Sequence, residues 1–241
     1  MKIQLVTDNH GYNYISINPE ADLIIHAGDA GNGIQNLLEF AELVKEAQKP
    51  LLIVPGNHDL WHQDLNDLKE LFTSLNINYL DYETTYEQDG ITFVGGTLFS
   101  NFRKNVTDPW VHDKIKENFN QFTDFRCIAL DGKAVTPSDY VTLFNKTLNN
   151  INQYRGQDNV VVVTHFPPSP ECSHPIYSRE DLSSGYFTNN IDISGFNLWL
   201  FGHTHFNTDQ MIQGCRVVSN AYGYPGELLG NDYNPTLLIE V

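Results

Sequence analysis

The run Leu51-Leu52-Ile53-Val54, fenced by Pro50 and Pro55, constrains this chain more than any other stretch. Four apolar residues with β-branched members between two prolines read as a short strand buried on both faces. Directly after it come Gly56, Asn57, His58 and Asp59: a turn residue, then a carboxamide, an imidazole and a carboxylate. Open α/β sheets place their ligands at the carboxyl ends of strands, so a buried strand ending in three polar side chains points to a site.

The same pattern recurs along the chain. Ile3–Val6 ends at Thr7-Asp8-Asn9-His10-Gly11, and Leu23–His26 ends at Ala27-Gly28-Asp29. Val160–Val163 ends at Thr164-His165-Phe166-Pro167, and Asn197–Phe201 ends at Gly202-His203-Thr204-His205. Between these runs, Ile34, Leu37, Leu38, Ala41 and Val44 recur with helical period and predict a helix over 33–47. Asp64 reads as the N-cap of a second helix that carries Leu65, Leu68, Leu71, Phe72 and Leu75 on one face. Short strands are predicted at 77–80, 84–88 and 91–95, with Gln88-Asp89-Gly90 as a hairpin turn, and closing strands at 210–213, 216–219 and 236–241. The main strand runs alternate little, which predicts an α/β fold whose sheet is covered on both faces.

Residues 97–156 differ in character, being rich in Asn, Phe and Asp. Their one clear element is a helix starting at Thr136-Pro137-Ser138-Asp139, an N-cap, a first-turn proline and an acid three residues on. We read this segment as an insertion or cap within a single domain spanning 1–241.

Composition narrows the function classes. The formal net charge of −16 repels a free polyanion, because nucleic-acid affinity rests on Lys and Arg neutralising phosphates. An acidic protein can still act on phosphates if metal ions invert the local field. Cys127, Cys172 and Cys215 form no CxxC pair and read as free thiols in a reducing cytoplasm. No apolar run approaches the about 20 residues of a membrane span, and the amino-terminal run lacks the pattern of a signal peptide. A cytoplasmic protein with no membrane partner is expected.

Taken singly, each His or Asp after a strand reads as a cap or a satisfied polar group. Together, Asp8 with His10, Asp29, Asn57 with His58, His165, and His203 with His205 bring metal-capable groups to what the pattern places at one edge of one sheet. Burying that many imidazoles and carboxylates without a partner is costly. A pair of cations removes the cost. With no cysteine in the set, a closed structural zinc site is not expected, and mixed carboxylate, imidazole and amide donors suit Mn, Fe, Zn, Co or Ni.

The ordered series Asp8-x-His10, Gly28-Asp29, Gly56-Asn57-His58-Asp59, His165 and Gly202-His203-x-His205 resembles the calcineurin-like metallophosphoesterase family over nearly the whole chain. The resemblance implies a four-layer αββα sandwich, two mixed β-sheets flanked by helices. It also implies a first divalent metal held by Asp8, His10 and His205, a second held by Asn57, His165 and His203, and Asp29 bridging both, with Mn the first choice. In such a centre the two cations, about 3.5–4 Å apart, activate a bridging hydroxide that attacks the phosphorus of a small phosphomonoester or phosphodiester. His58 would be the general acid, since an imidazole titrates near neutrality. Asp59 is expected either to orient His58 or to cap the turn.

Two departures bear on the substrate. The Gly28-Asp29-Ala30-Gly31-Asn32-Gly33 stretch lacks the arginine of the family's protein Ser/Thr phosphatases and has Asn32 where they have an acid. Gly95-Gly96-Thr97-Leu98 and Asp124-Phe125-Arg126 look more like small bacterial members. Arg103 and Arg126 are candidate phosphate clamps, with a structural salt bridge the simpler role. A nuclease, or a non-catalytic scaffold of the same fold, are the alternatives. The missing basic stripe speaks against the first, and the complete donor set with His58 against the second. Of the remaining histidines, His26 reads as core, His112 and His174 as surface, and His62, close behind the central motif, as surface with a substrate contact the alternative.

Overall fold

The computed structural model describes residues 1–12, 15–102, 122–176, 184–227 and 232–241. Arg103 and His112 lie outside the described residues. In chain order the elements begin β1 (Lys2–Val6), β2 (Leu23–His26), α1 (Ile34–Glu46), β3 (Leu51–Ile53), α2 (Leu65–Ser74), β4 (Asn78–Tyr79), β5 (Thr85–Gln88) and β6 (Ile91–Gly96). They continue α3 (Asp124–Cys127), β7 (Ala129–Leu130), β8 (Lys133–Ala134), α4 (Pro137–Asn152), β9 (Val160–Thr164) and α5 (Ser184–Phe187). The chain closes with β10 (Leu198–Phe201), β11 (Thr208–Ile212), β12 (Cys215–Ser219) and β13 (Leu238–Glu240).

These strands form two main sheets. One has the order β13-β1-β2-β3-β4 and the other β11-β12-β10-β9-β6-β5. Strands β1 to β4 run parallel with β13 antiparallel at the edge. In the second sheet β6, β9, β10 and β12 are parallel, and β5 and β11 are antiparallel edges. Both sheets are therefore mixed. The single-sheet edge expected from the sequence is corrected here: β1, β2 and β3 belong to one sheet, and β9 and β10 to the other. A strand buried on both faces looks the same in either sheet, so the runs alone do not sort themselves.

Strand alternation builds the layers. Ile3, Leu5, Leu23, Ile25 and Leu52 meet Phe93, Val161, Val163, Leu198 and Leu200 between the sheets. The opposite faces are covered by helices. Val6 and Ile24 pack under Phe40 and Val44 of α1. Val94, Val160, Val162 and Trp199 pack with Phe144 and Ile151 of α4. This is the αββα order, with one apolar cluster between the sheets and others beneath the helices on each side.

Local chemistry sets the element ends. Asp64 caps α2 by accepting from Asn66 N at 3.0 Å. Thr136 and Asp139 form a reciprocal capping box at the start of α4, 2.8 Å one way and 3.2 Å the other. Asp89 and Gly90 both take positive φ, 52° and 78°, and join β5 to β6 as a two-residue hairpin. Of the 97–156 segment, α4 forms the outer layer over the second sheet, while Phe125, Ile128, Val135 and Tyr140 join a cluster with Leu60, Phe72 and Phe99. Among the described residues no helix is long and apolar enough to cross a membrane.

Candidate metal centre

Five loops, one from each of β1, β2, β3, β9 and β10, meet at the carboxyl edge of the sandwich. The β1 loop lies on the β2 loop, with Asp8 N donating to Gly28 O at 2.8 Å and His10 N to Asp29 O at 3.0 Å. The β3 loop is locked to the β2 loop by Asp59. Its fully buried carboxylate accepts from Gly56 N (2.9 Å), Asp29 N (2.8 Å), Ala30 N (2.9 Å) and Gly31 N (3.4 Å). The β10 loop is held by Asp8, whose two carboxylate oxygens accept from His203 N at 2.9 and 3.0 Å.

Close approach demands glycine at two of these turns. A Cβ on Gly56 would lie 2.1 Å from Asp29 Oδ1, and one on Gly202 would lie 2.1 Å from Thr7 Oγ1. Neither neighbour can retreat, because each is a short side chain already hydrogen-bonded.

The side chains converge into three clusters whose donor atoms lie within 4.8 Å of one another: Asp8 with His10 and His205, His10 with Asp29 and His58, and Asp29 with His165 and His203. His165 Nδ1 donates to Ala27 O at 2.8 Å, so its Nε2 is turned inward, 3.3 Å from Asp29 Oδ2 and 3.2 Å from Asn57 Oδ1. His205 Nδ1 donates to the Glu227 carboxylate at 2.9 and 3.0 Å, leaving Nε2 toward Asp8 Oδ1 (3.5 Å) and His10 Nε2 (2.9 Å). Imidazoles anchored through one nitrogen and aimed with the other are the ordinary arrangement of metal ligands.

Two observations test whether the group fits cations. Two buried imidazole nitrogens, His10 Nδ1 and His203 Nε2, have no hydrogen-bond partner among the described residues, a costly state that a bound ion would relieve at an inward-facing nitrogen. Two imidazole nitrogens also face each other across 2.9 Å between His10 and His205, where at most one can donate. The donor set fits.

Charge within the cluster is sharply divided. Burial works against Asp8, but hydrogen bonding and attraction from His205 outweigh it and hold its carboxyl down at about 2. Asp29 is likewise buried, yet His165 and His58 hold it well below the usual carboxylate range. Burial opposes the charged form of His205 and His165, but the carboxylates facing them prevail, lifting His205 to about 10 and His165 to about 9. Burial wins at His10, pushed down to about 4, and at His203, lowered well below the imidazole range. Asp59 is pushed up to about 7 by burial and by the Asp29 charge.

All seven expected donors are thus brought together, with His58 beside them, its Nε2 4.0 Å from Asp29 Oδ2. Asp59 does not orient His58. His58 Nδ1 pairs with Asn32 Oδ1 at 2.8 Å, its ring stacks on Trp61 at 3.8 Å, and the Asp59 carboxylate faces the backbone of two loops instead. Arg126 is exposed on α3. His26 is core as expected, bonded to Asn9 Oδ1 at 3.1 Å. His62 is exposed, and His174 is half-buried at the edge of Phe206 rather than free on the surface. Sequence reasoning gave no site role to Asn32, Trp61, Glu227 or Tyr224, which stacks on His10 at 4.2 Å. Asn32, within the Gly28–Gly33 stretch, and Trp61, three residues beyond His58, carried positional hints.

Comparison with known proteins agrees with this geometry. The family model for calcineurin-like phosphoesterases matches residues 3–207. An uncharacterised protein of Acanthamoeba polyphaga mimivirus is 24% identical over 243 residues, covering 89% of this chain and 82% of that protein. A UPF0046 protein of Caenorhabditis elegans is 31% identical over 111 residues, 41% of this chain and 38% of that one. Among solved structures, phosphopantetheinyl hydrolase from Mycobacterium tuberculosis superposes with a TM-score of 0.69 at 18% identity, covering 93% of this chain and 90% of that one. A dimetal phosphatase from Danio rerio gives 0.54 at 12% identity, with 92% and 87% covered. At such identities the two structures establish a shared fold. The family match runs through every donor-bearing loop from Asp8 to His205, and the chain belongs to the calcineurin-like phosphoesterases, metal-dependent hydrolases of phosphoric esters.

Proposed function

We propose that this chain is a dinuclear hydrolase of a small phosphomonoester or phosphodiester. In this reading Asp8, His10 and His205 hold one cation, Asn57, His165 and His203 hold the other, and Asp29 bridges them. The observation that carries it is the chaining of the clusters: the second shares His10 with the first and Asp29 with the third. When bound, the cations supply Lewis-acid activation of water and neutralise phosphoryl charge. With carboxylate, carboxamide and imidazole donors and no thiolate, Mn²⁺ is the first to test, ahead of Fe, Zn, Co and Ni.

The chain's own chemistry centres on His58. Asn32 Oδ1 can only accept, so His58 Nδ1 carries a proton and Nε2 is the atom turned to the centre. Protonated at Nε2, His58 gives that proton to the departing ester oxygen. The face of Trp61, stacked on the ring at 3.8 Å, fixes the orientation of His58. Asp59 serves as a brace, holding Asp29 and the His58 turn in register through their backbone. Three free cysteines, two of them buried, support placement in the cytoplasm.

The test pairs chemistry with metal analysis. Protein loaded with Mn²⁺ should hydrolyse chromogenic phosphoesters, with a monoester and a diester compared. His58→Ala should lower turnover about 10²–10⁴-fold with metal content unchanged. Full activity in that variant removes His58 from the reaction. Asp29→Ala should release both cations, and unaltered metal content would contradict the bridge.

A further inference from the structure

Asp124 lies in the segment between the sheets' strands that the catalytic reading leaves unused, and it is 2% exposed. Four donors converge on its carboxylate. Oδ1 accepts from Asn57 Nδ2 at 3.2 Å and from Trp61 Nε1 at 2.8 Å. Oδ2 accepts from the hydroxyl of Tyr140 at 2.7 Å and from that of Tyr186. A carboxylate offers about four lone-pair directions, and all are taken. Burial, reinforced by the Asp124 charge, raises both phenols well above their ordinary range and keeps them as donors.

This wiring has a directional consequence. A carboxamide can ligate a cation through oxygen but not through nitrogen. Asp124 Oδ1 only accepts, so Asn57 must turn Nδ2 toward it and Oδ1 away. That Oδ1 lies 3.2 Å from His165 Nε2, beside the Asp29, His165 and His203 cluster. The same Asp124 oxygen pins the indole of Trp61, which stands flat against His58 with ring centroids 3.8 Å apart and planes at 29°. Tyr140 of α4 and Tyr186 of α5 fix the carboxylate from behind.

We infer that Asp124 is a positioning residue for two parts of the centre at once, an inference that rests on the metal centre proposed above. It sets the Asn57 oxygen toward the second cation, and it sets the aromatic wall against which His58 stands.

Calorimetric titration of the metal-stripped protein with Mn²⁺ tests this, with turnover measured in parallel. Asp124→Ala should weaken the second cation's binding about 10–100-fold and leave the first unchanged. Asp124→Asn should restore most of that affinity. It keeps a carbonyl oxygen for Asn57 and Trp61, and its amide can face the tyrosine oxygens, which then accept. In an Asn57→Ala background, Asp124→Ala should add no further loss of affinity, because it acts through that amide. If Asp124→Ala does not fold, Asp124→Leu combined with Tyr140→Phe and Tyr186→Phe removes the carboxylate together with the hydroxyls it would strand, and the same loss is expected. Wild-type protein that binds two Mn²⁺ alongside an Asp124→Ala variant that binds both as tightly overturns the inference. So do additive losses in the double variant, or an Asp124→Asn loss equal to that of Asp124→Ala. Wild-type protein that takes up no Mn²⁺ overturns the metal centre itself, and the inference with it.

Discussion

Asp8, His10, Asp29, His203 and His205 hold φ values of 57°, 49°, 58°, 73° and 48°, all in the left-handed region. Non-glycine residues enter it rarely, and such torsions cost on the order of 1–3 kcal/mol each. Here they let the chain double back directly after a strand, so that Asp8 and His10 reach one cluster while His203 and His205 serve two neighbouring ones. Two imidazoles of the cluster, His165 and His205, govern behaviour without metal. His165 and His205 have folded pKa values of about 9 and about 10, above the ordinary imidazole value of 6.5. A raised value means the folded state holds the proton more tightly than the unfolded chain. That contribution to stability is full below 6.5 and is lost as pH rises through 9 and 10. Thermal melts in chelator should therefore fall from pH 7 to pH 10, and loading with Mn²⁺ should flatten the slope, since the cation replaces those protons. A flat melting profile for the stripped protein would contradict the protonated His165 and His205.

Between residue and molecule stand the turns. Gly56→Ala places a methyl group 2.1 Å from Asp29 Oδ1. It should abolish metal uptake while far-UV circular dichroism stays native, and retained binding of two cations would show that this turn has slack. How far these elements could be read from sequence depended on how local their causes are. Leu23–His26 was legible to the residue because a buried run is bounded at once by Asp22 before it and Ala27-Gly28-Asp29 after it. The box at Thr136 was legible because both partners lie within one turn. The donors were legible because each sits directly after its own strand. The assignment of strands to two sheets was not, since Val161 and Ile25 belong to equally apolar runs. Asp124 reaches Asn57 across 67 positions, and Glu227 reaches His205 from a separate loop, so neither leaves a local trace. Adjacency alone left Asp59 open between orienting His58 and capping the turn, and its carboxylate takes backbone N–H groups of the β2 and β3 loops.

At the scale of the whole protein, the centre draws on both halves of the sandwich. Asp8, His10, Asp29 and Asn57 follow strands of the first sheet, whereas His165, His203 and His205 follow strands of the second. Cations that require both halves bind the folded state alone, so Mn²⁺ at 100 times its dissociation constant should add about 2.7 kcal/mol per site. A melting temperature unmoved by saturating Mn²⁺ would contradict that. In the proposed reading each half supplies only part of the coordination shell, so bound ions would act as a bolt through the seam of two slabs. Amide protons in β1–β3 and in β9–β10 should then exchange with solvent in step when the bolt is present, and on separate schedules once it is drawn.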